Sequence, residues 1–272
     1  MKKVILITGA SSGMGKDFAL NLLKKGHVVY GLARRVEKMD DIVKAGGKAI
    51  AMDITNESQI ESAVNQVLSE QEKIDVLINN AGYALYGPVE EVPIDTARRQ
   101  FEVNIFGLAS ITQKIIPGMR EQKSGTIINI SSMGGKMYTP FGAWYHATKH
   151  ALEGWSDCLR VELKSFGIDV VIIEPGGIET EFGNVFMKNL QGDSKNGPYA
   201  NSVQKIIKST GEMYEKGQLS SPSVITNLID KAVHSKKPKT RYVAGSFAKP
   251  LMFMRKYLGD RTFDKILMRQ FQ

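Results

Sequence analysis

Val4-Ile5-Leu6-Ile7-Thr8 runs directly into Gly9-Ala10-Ser11-Ser12-Gly13-Met14-Gly15. Four apolar residues and a threonine in a row read as a strand covered on both faces. The glycines that follow permit a tight turn and a close backbone approach. A helical pattern resuming at Gly15 then aims free N–H groups and the positive end of a helix dipole at that turn. Strand, glycine-rich turn and helix N-terminus together make an anion cradle suited to a diphosphate. The spacing is Gly-x-x-x-Gly-x-Gly rather than the commoner Gly-x-Gly-x-x-Gly, so its place after the first strand carries much of the argument. A Walker loop fails, because Ala10 and Asp17 stand where Gly and Ser/Thr are required around Gly15-Lys16. Gly9-Ala10-Ser11-Ser12-Gly13 matches a Gly-x-Ser-x-Gly nucleophile elbow, but that fold needs earlier strands and an upstream loop, and only eight residues precede Gly9. Ser11 and Ser12 are expected to cap the turn or touch phosphate.

Beyond this segment, short apolar runs alternate with longer stretches of helical period, the pattern of a parallel sheet wound with crossover helices. Strands are predicted at 4–8, 27–33, 48–52, 74–79, 125–130, 169–173 and 241–244. Helices are predicted at 15–25, 57–70, 96–117, 144–166 and 223–234, the last with Ser221 as N-cap and Pro222 opening the first turn. The expectation is a doubly wound α/β fold of about seven parallel strands, a single domain over 1–272 with an elaborated C-terminal third. Residues 176–219 are rich in glycine and read as the least regular segment, a lid or binding region.

The chain has 272 residues, 42% apolar and 24% charged, the composition of an ordinary globular protein. Its single cysteine, Cys158, excludes a disulfide framework and a Cys-rich metal site, and reads as a small core or interface residue. Lys2-Lys3 and four apolar residues are too little for a secretory signal, and no run reaches the roughly 18 residues of a membrane span. A cytoplasmic location is expected. The net charge of +8 is concentrated: residues 235–272 hold ten Lys or Arg against Asp260 and Asp264, while the remainder balances at 26 of each sign. Basic and apolar residues interleave over 246–272, which predicts amphipathic helices. These are expected to dock on the body or on a second subunit. A membrane surface is the alternative, and a nucleic-acid partner ranks last.

The end of the second predicted strand reports on a ribose. Eighteen residues after Gly15, where a carboxylate would accept the 2′-hydroxyl of NAD, stands Ala33, followed by Arg34 and Arg35. A guanidinium can bind a 2′-phosphate bidentately, which favours NADP(H) over NAD, with Arg34 the better placed. The chain has one Tyr-x-x-x-Lys, Tyr145-His146-Ala147-Thr148-Lys149. On a helix this spacing puts phenol and ammonium on one face, and the cation is expected to draw the phenol pKa toward neutrality. Ser132, just past a predicted strand, could hold a carbonyl oxygen. His146 and His150 point away from that face and read as packing or surface residues. His234 closes a helix, where the dipole favours a cation.

Taken together and in this order, the Thr8–Gly15 turn, Asp53, Asn79-Asn80-Ala81-Gly82, Asn104, Ser132, Tyr145 with Lys149, and Pro175-Gly176 with Thr180 resemble the classical short-chain dehydrogenase/reductase family over about residues 4–180. The resemblance implies that Tyr145 is the general acid/base, that Ser132 orients the substrate oxygen, and that Asn104 supports a proton relay. Lys149 would bind the nicotinamide ribose. The resemblance also implies a cofactor held by Gly9, Ser11, Ser12, Gly13, Met14 and Gly15 at the diphosphate. Arg34, Asp53, Ile54, Asn80 and Gly82 would lie toward the adenosine, and Ile178 and Thr180 at the nicotinamide. The chemistry expected is hydride transfer between a ketone or aldehyde and an alcohol, with no metal. The partner is then a small-molecule carbonyl or alcohol, and the family admits homo-oligomers. Tyr83, Tyr86, Tyr138, Phe141, Trp144, Phe182, Phe186 and Met187 surround the expected pocket. If half of them face it, the substrate is apolar, steroid-, retinoid- or fatty-chain-like. The alternative from another class is a non-catalytic NADP(H)-sensing protein on the same fold.

Overall fold

The computed structural model describes residues 1–180, 183, 190 and 197–269. Its centre is one sheet of seven strands: β1 (Val4–Thr8), β2 (Val28–Ala33), β3 (Lys48–Ala51), β4 (Val76–Asn79), β5 (Gly125–Ile130), β6 (Ile168–Pro175) and β7 (Arg241–Ala244). All pairings are parallel, in the order β3-β2-β1-β4-β5-β6-β7. The central strands are mostly apolar because both faces are covered, while the edge strands β3 and β7 are partly exposed. Leu6, Leu77, Ile127 and Val170 pack under α3 (Glu57–Gln71), α5 (Leu108–Glu121) and α6 (Ala143–Leu163). Ile5, Ile7, Ile78, Ile128 and Val171 pack with residues of α1 (Gly13–Lys24) and α8 (Ser223–His234) on the other face. The winding reverses between β1 and β4, which opens a crevice at the carboxyl ends of the strands.

Several expected elements differ from those observed. Residues 96–117 were expected as one helix ending at Pro117. The chain instead forms α4 (Ile94–Phe101), a π-turn (Glu102–Gly107) and α5, which runs through Pro117 to Glu121. Its buried stripe, Ile111, Thr112, Ile115 and Met119, spans the proline, so packing on both sides overrides the local break. The segment read as irregular contains a 16-residue helix, α7 (Ala200–Glu215). Its glycines masked a clean helical spacing of Val203, Ile206, Ile207 and Thr210. A short helix, α2 (Asp40–Lys44), was not expected, and α8 has Pro222 rather than Ser221 at its N-cap; the Ser221 hydroxyl accepts the Ser223 N–H at 3.4 Å.

The tail forms α9 (Ala248–Tyr257) and α10 (Asp260–Met268), which dock on the body: Phe263 and Leu267 bury against Met137, flanked by Met133, Tyr138, Leu251 and Met254. Because β7 is parallel to its neighbours, Lys236, Lys237 and Lys239 precede it at one end of the sheet, and the basic residues after it lie at the crevice end.

At the end of the sheet away from the crevice, His27 is buried and accepts the Lys3 N–H on Nδ1 at 3.1 Å. Its Nε2 must then carry the proton, donated to His234 Nε2 at 3.1 Å, and His234 Nδ1 donates to the Asp230 carbonyl at 2.8 Å. Burial, with the Lys3 cation nearby, pushes the His27 pKa down.

Candidate active site

Gly9 and Gly13 adopt φ of +68° and +53°, which a side chain would strain. A Cβ on Gly9 would lie 2.8 Å from Ala81 Cα, and one on Gly15 would strike the Gly9 carbonyl oxygen and the Asn80 amide. Thr8 Oγ1 accepts both the Asn80 and Ala81 N–H groups at 3.0 Å, and Asn80 Nδ2 donates to the Thr8 and Gly9 carbonyls at 3.1 and 3.2 Å. The turn is therefore clamped to the end of β4 and keeps an open, side-chain-free cradle at the N-terminus of α1. Such a cradle fits the diphosphate of a dinucleotide.

This cradle is one wall of a cavity of about 880 Å³. Of the residues expected at a cofactor, Gly9, Ser11, Ser12, Gly13, Met14 and Arg34 line its outer part, and Asp53, Ile54, Asn80 and Gly82 continue it. Tyr145, Lys149, Ile178 and Thr180 line its inner end, with Ser132. Gly15 and Asn104 do not line it. Gly15 is buried beneath the turn, where its lack of a side chain lets α1 approach β1. Asn104 is buried in the π-turn, where it accepts the Tyr83 N–H at 3.1 Å and donates to the Tyr83 carbonyl at 3.0 Å and Thr148 Oγ1 at 3.1 Å.

Ala33 ends β2, so no acid faces the ribose position. Arg34 and Arg35 stand exposed at the cavity rim, with Arg35 Nη2 3.5 Å from Ser12 Oγ. Asp53 accepts from the Thr55 N–H and hydroxyl at 2.9 and 2.8 Å and pairs with Arg99 at 3.3 Å. Burial works against its charge, but the Thr55 bonds and the Arg99 and Arg34 cations hold its carboxyl below the ordinary value. Arg99 was not anticipated: only the fold separates it from Arg98, which pairs outward with Asp95 at 2.7 Å.

Tyr145 and Lys149 lie buried on one face of α6, with Lys149 Nζ 5.9 Å from the Tyr145 ring centre. Lys149 Nζ donates to the Ile130 carbonyl at 2.8 Å. Ser132 follows β5; its Oγ accepts the Gly134 N–H at 3.0 Å and hydrogen-bonds the Tyr145 phenol. The expectation that the lysine draws the phenol toward neutrality is not met. Burial raises the Tyr145 pKa to about 12, only partly offset by Ser132, and burial lowers Lys149 to about 8. Desolvation dominates both groups, opposed at Tyr145 by the Ser132 hydrogen bond and at Lys149 by the Glu153 carboxylate. At neutral pH the phenol thus holds its proton and can donate it.

His146 is a packing residue, as expected, but it also holds a loop in place. It is buried at the cavity wall; its Nε2 accepts the Thr139 N–H at 3.0 Å, which leaves Nδ1 to donate to the Gly134 carbonyl at 2.9 Å. One neutral imidazole thereby ties together both ends of the loop over residues 134–139, which follows Ser132. His150 is exposed, as expected, but so is Cys158, which is not a core residue. Burial pushes the His146 pKa down, as it does for His27. The unfolded chain therefore binds more protons than the fold, and stability from both residues is complete above about pH 6.5 and declines as pH falls below it. Each contributes at most about 1.4 kcal/mol per pH unit. Thermal melts between about pH 7.5 and 5 should show Tm falling with acidification, less steeply in a His27→Gln/His146→Gln variant. Equal slopes would refute the assignment.

Of the aromatic residues expected around a pocket, Tyr83 and Tyr86 line the cavity, the Tyr86 ring 5.8 Å from Tyr145. Tyr138 turns to the tail, its hydroxyl donating to Asp264 at 2.7 Å, and Phe141 packs edge-on against Tyr199. Trp144 does not line the cavity. Phe182, Phe186 and Met187 lie outside the described residues. Met133, Met137, Met213, Tyr214 and Leu219 form the apolar side that sequence reasoning missed, because they converge from two distant segments.

A family model described as short chain dehydrogenase matches residues 3–190. The chain belongs to the classical short-chain dehydrogenase/reductase family. Among its relatives is a 3-ketodihydrosphingosine reductase of Bacteroides thetaiotaomicron, 36% identical over 97% of this chain and 96% of that one. An NADPH-dependent 3-dehydrocapnine reductase of Ornithobacterium rhinotracheale is 35% identical over 97% and 95% of the two chains. A short-chain dehydrogenase from Streptomyces avermitilis superposes with a TM-score of 0.82 at 34% identity, covering 99% of this chain and 96% of that one. This short-chain dehydrogenase is an oxidoreductase, and no helix among its described residues is long and apolar enough to cross a membrane.

Proposed function

We propose that this enzyme is an NADPH-dependent reductase that converts a ketone on a long apolar chain into a secondary alcohol. The observation that carries this reading is the layout of one cavity. Two rim arginines stand at one end, the half-buried Ser132 with the buried Tyr145 and Lys149 at the other, and a methionine-rich wall lies beside them. The relatives named for reducing 3-ketodihydrosphingosine and 3-dehydrocapnine support it.

A bound nicotinamide would supply the hydride. Gly9, Ser11, Ser12, Gly13 and Met14 would hold the diphosphate, and Arg34 a 2′-phosphate. Asp53, Ile54, Asn80 and Gly82 would line the adenosine. Lys149, Ile178 and Thr180 would flank the nicotinamide end. Ser132 would orient the substrate oxygen and Tyr145 give it a proton, the direction its high pKa favours. Asn104 would act through Tyr83 and Thr148, with Gly15 supporting the turn from below. Residues 176–219 would cover the substrate.

The test is oxidation of NADPH and NADH across 3-keto substrates of graded chain length. Turnover should rise with chain length and favour NADPH; reaction with small polar carbonyls alone would count against the reading. In the same assay Arg34→Asp should cut kcat/KM for NADPH about 100-fold, as expected for losing a bidentate charged contact, and spare NADH. Equal effects on both cofactors would remove Arg34 from this role.

A further inference from the structure

We infer that the outer face of α9 docks reversibly on an anionic lipid surface. The inference goes beyond the reading of the reaction and stands on separate observations. The helix has two apolar sides. One, with Ala248, Leu251 and Met254, turns toward the body. The other carries Lys249, Pro250, Phe253, Lys256 and Tyr257, whose spacing places them on a single helical face, all exposed. Phe253 and Tyr257 are each 61% exposed and pack against one another with ring centres 4.7 Å apart, so two large aromatic rings point outward as a unit. Lys256 Nζ sits 5.1 Å from the Tyr257 ring, and Phe247, Leu258 and Met268 of the tail are exposed as well.

Charge selects the occupant. Over residues 247–269 six basic side chains face two acids, and both acids are engaged: Asp260 pairs with Arg255 at 2.6 Å, and Asp264 accepts the Tyr138 hydroxyl at 2.7 Å. A second copy laid on this face would oppose lysine to lysine, which disfavours self-association. Exposed aromatic rings flanked by lysines suit the headgroup region of an anionic bilayer, where the rings insert and the ammonium groups meet phosphates. The helix also packs on the loop that carries Met133 and Met137, both of which line the cavity. Docking through this face would bring the apolar side of the cavity close to the bilayer.

The test is co-sedimentation of the full chain with vesicles of phosphatidylcholine containing about 30% phosphatidylglycerol, in about 0.1 M salt. Binding should exceed that to pure phosphatidylcholine at least about 10-fold and fall comparably in about 0.5 M salt. Lys249→Glu/Lys256→Glu and Phe253→Ser/Tyr257→Ser should each lose at least about 10-fold of the binding. Both should keep the parent's circular dichroism and its NADPH oxidation on a short soluble ketone. No vesicle binding, or undiminished binding by both variants, would overturn the proposal. So would a salt-resistant dimer abolished by Phe253→Ser/Tyr257→Ser, or binding to single-stranded RNA in place of vesicles.

Discussion

Tyr145→Phe is expected to lower kcat by about 10²–10⁴-fold, the span that a positioned proton donor contributes, while NADPH still binds nearly as tightly as to the parent. The phenyl ring fills the same buried space beside Tyr86, so the cavity keeps its shape and only the hydroxyl is lost. Ser132 and Lys149 remain, which separates a missing proton from a collapsed site. Steady-state kinetics with a long-chain 3-keto substrate, alongside fluorescence titration of NADPH, would measure both quantities. If turnover survives, the proton comes from elsewhere and the enzymatic reading of Tyr145 fails. A protein that merely sensed the nucleotide would show no turnover in the parent either, so the parent assay decides between these readings first.

Arg241→Ala should destabilise the fold by about 3–5 kcal/mol, the cost of stripping the partner from buried charges. Arg241 reaches from β7 to Glu153 at 3.1 Å, Asp157 at 2.6 Å and Glu174 at 3.6 Å, and Lys136 adds a contact to Glu153 at 3.0 Å. Glu153 and Glu174 are almost wholly buried and meet each other. Burial and the Glu153 charge push Glu174 well above the ordinary carboxylate range, against the pull of Arg241 and Lys136. A carboxyl raised in the fold contributes stability below its unfolded pKa and loses it as pH rises through the folded value. Glu174→Gln at about pH 8 should therefore be neutral or stabilising, and should recover part of the Arg241→Ala loss in the double variant. Urea melts of the three proteins would measure this. A loss below about 1 kcal/mol for Arg241→Ala would mean that water already solvates the knot.

The sheet was legible in the sequence because parallel strands buried on both faces appear as plain apolar runs, and the seven expected runs match the seven strands within a few residues at their ends. The Tyr145 and Lys149 pair was legible for a related reason: four residues along a helix is a fixed distance. What was not legible depends on distant packing. Nothing near Glu174 in the chain announces Glu153 or Arg241. Arg99 looks like any arginine on a charged helix until the fold sets it beside Asp53. His146 was legible as a packing residue, but its bonds to the loop over residues 134–139, which folds back onto it, were not. The phenol pKa was misjudged because adjacency to a cation is visible in a sequence and loss of water is not.

The π-turn at Glu102–Gly107 has a consequence for how the helices around it can vary. A wide turn of this kind inserts one residue into the α-helical ladder, offsetting everything downstream by about 100°. The rod from Ile94 to Glu121 is thus phased twice, once for Arg99 at the cavity and once for Ile111, Ile115 and Met119 in the interior. Losing a single residue there would swing one half out of alignment with its surroundings, so the helix tolerates exchange of side chains far more readily than any change in its length.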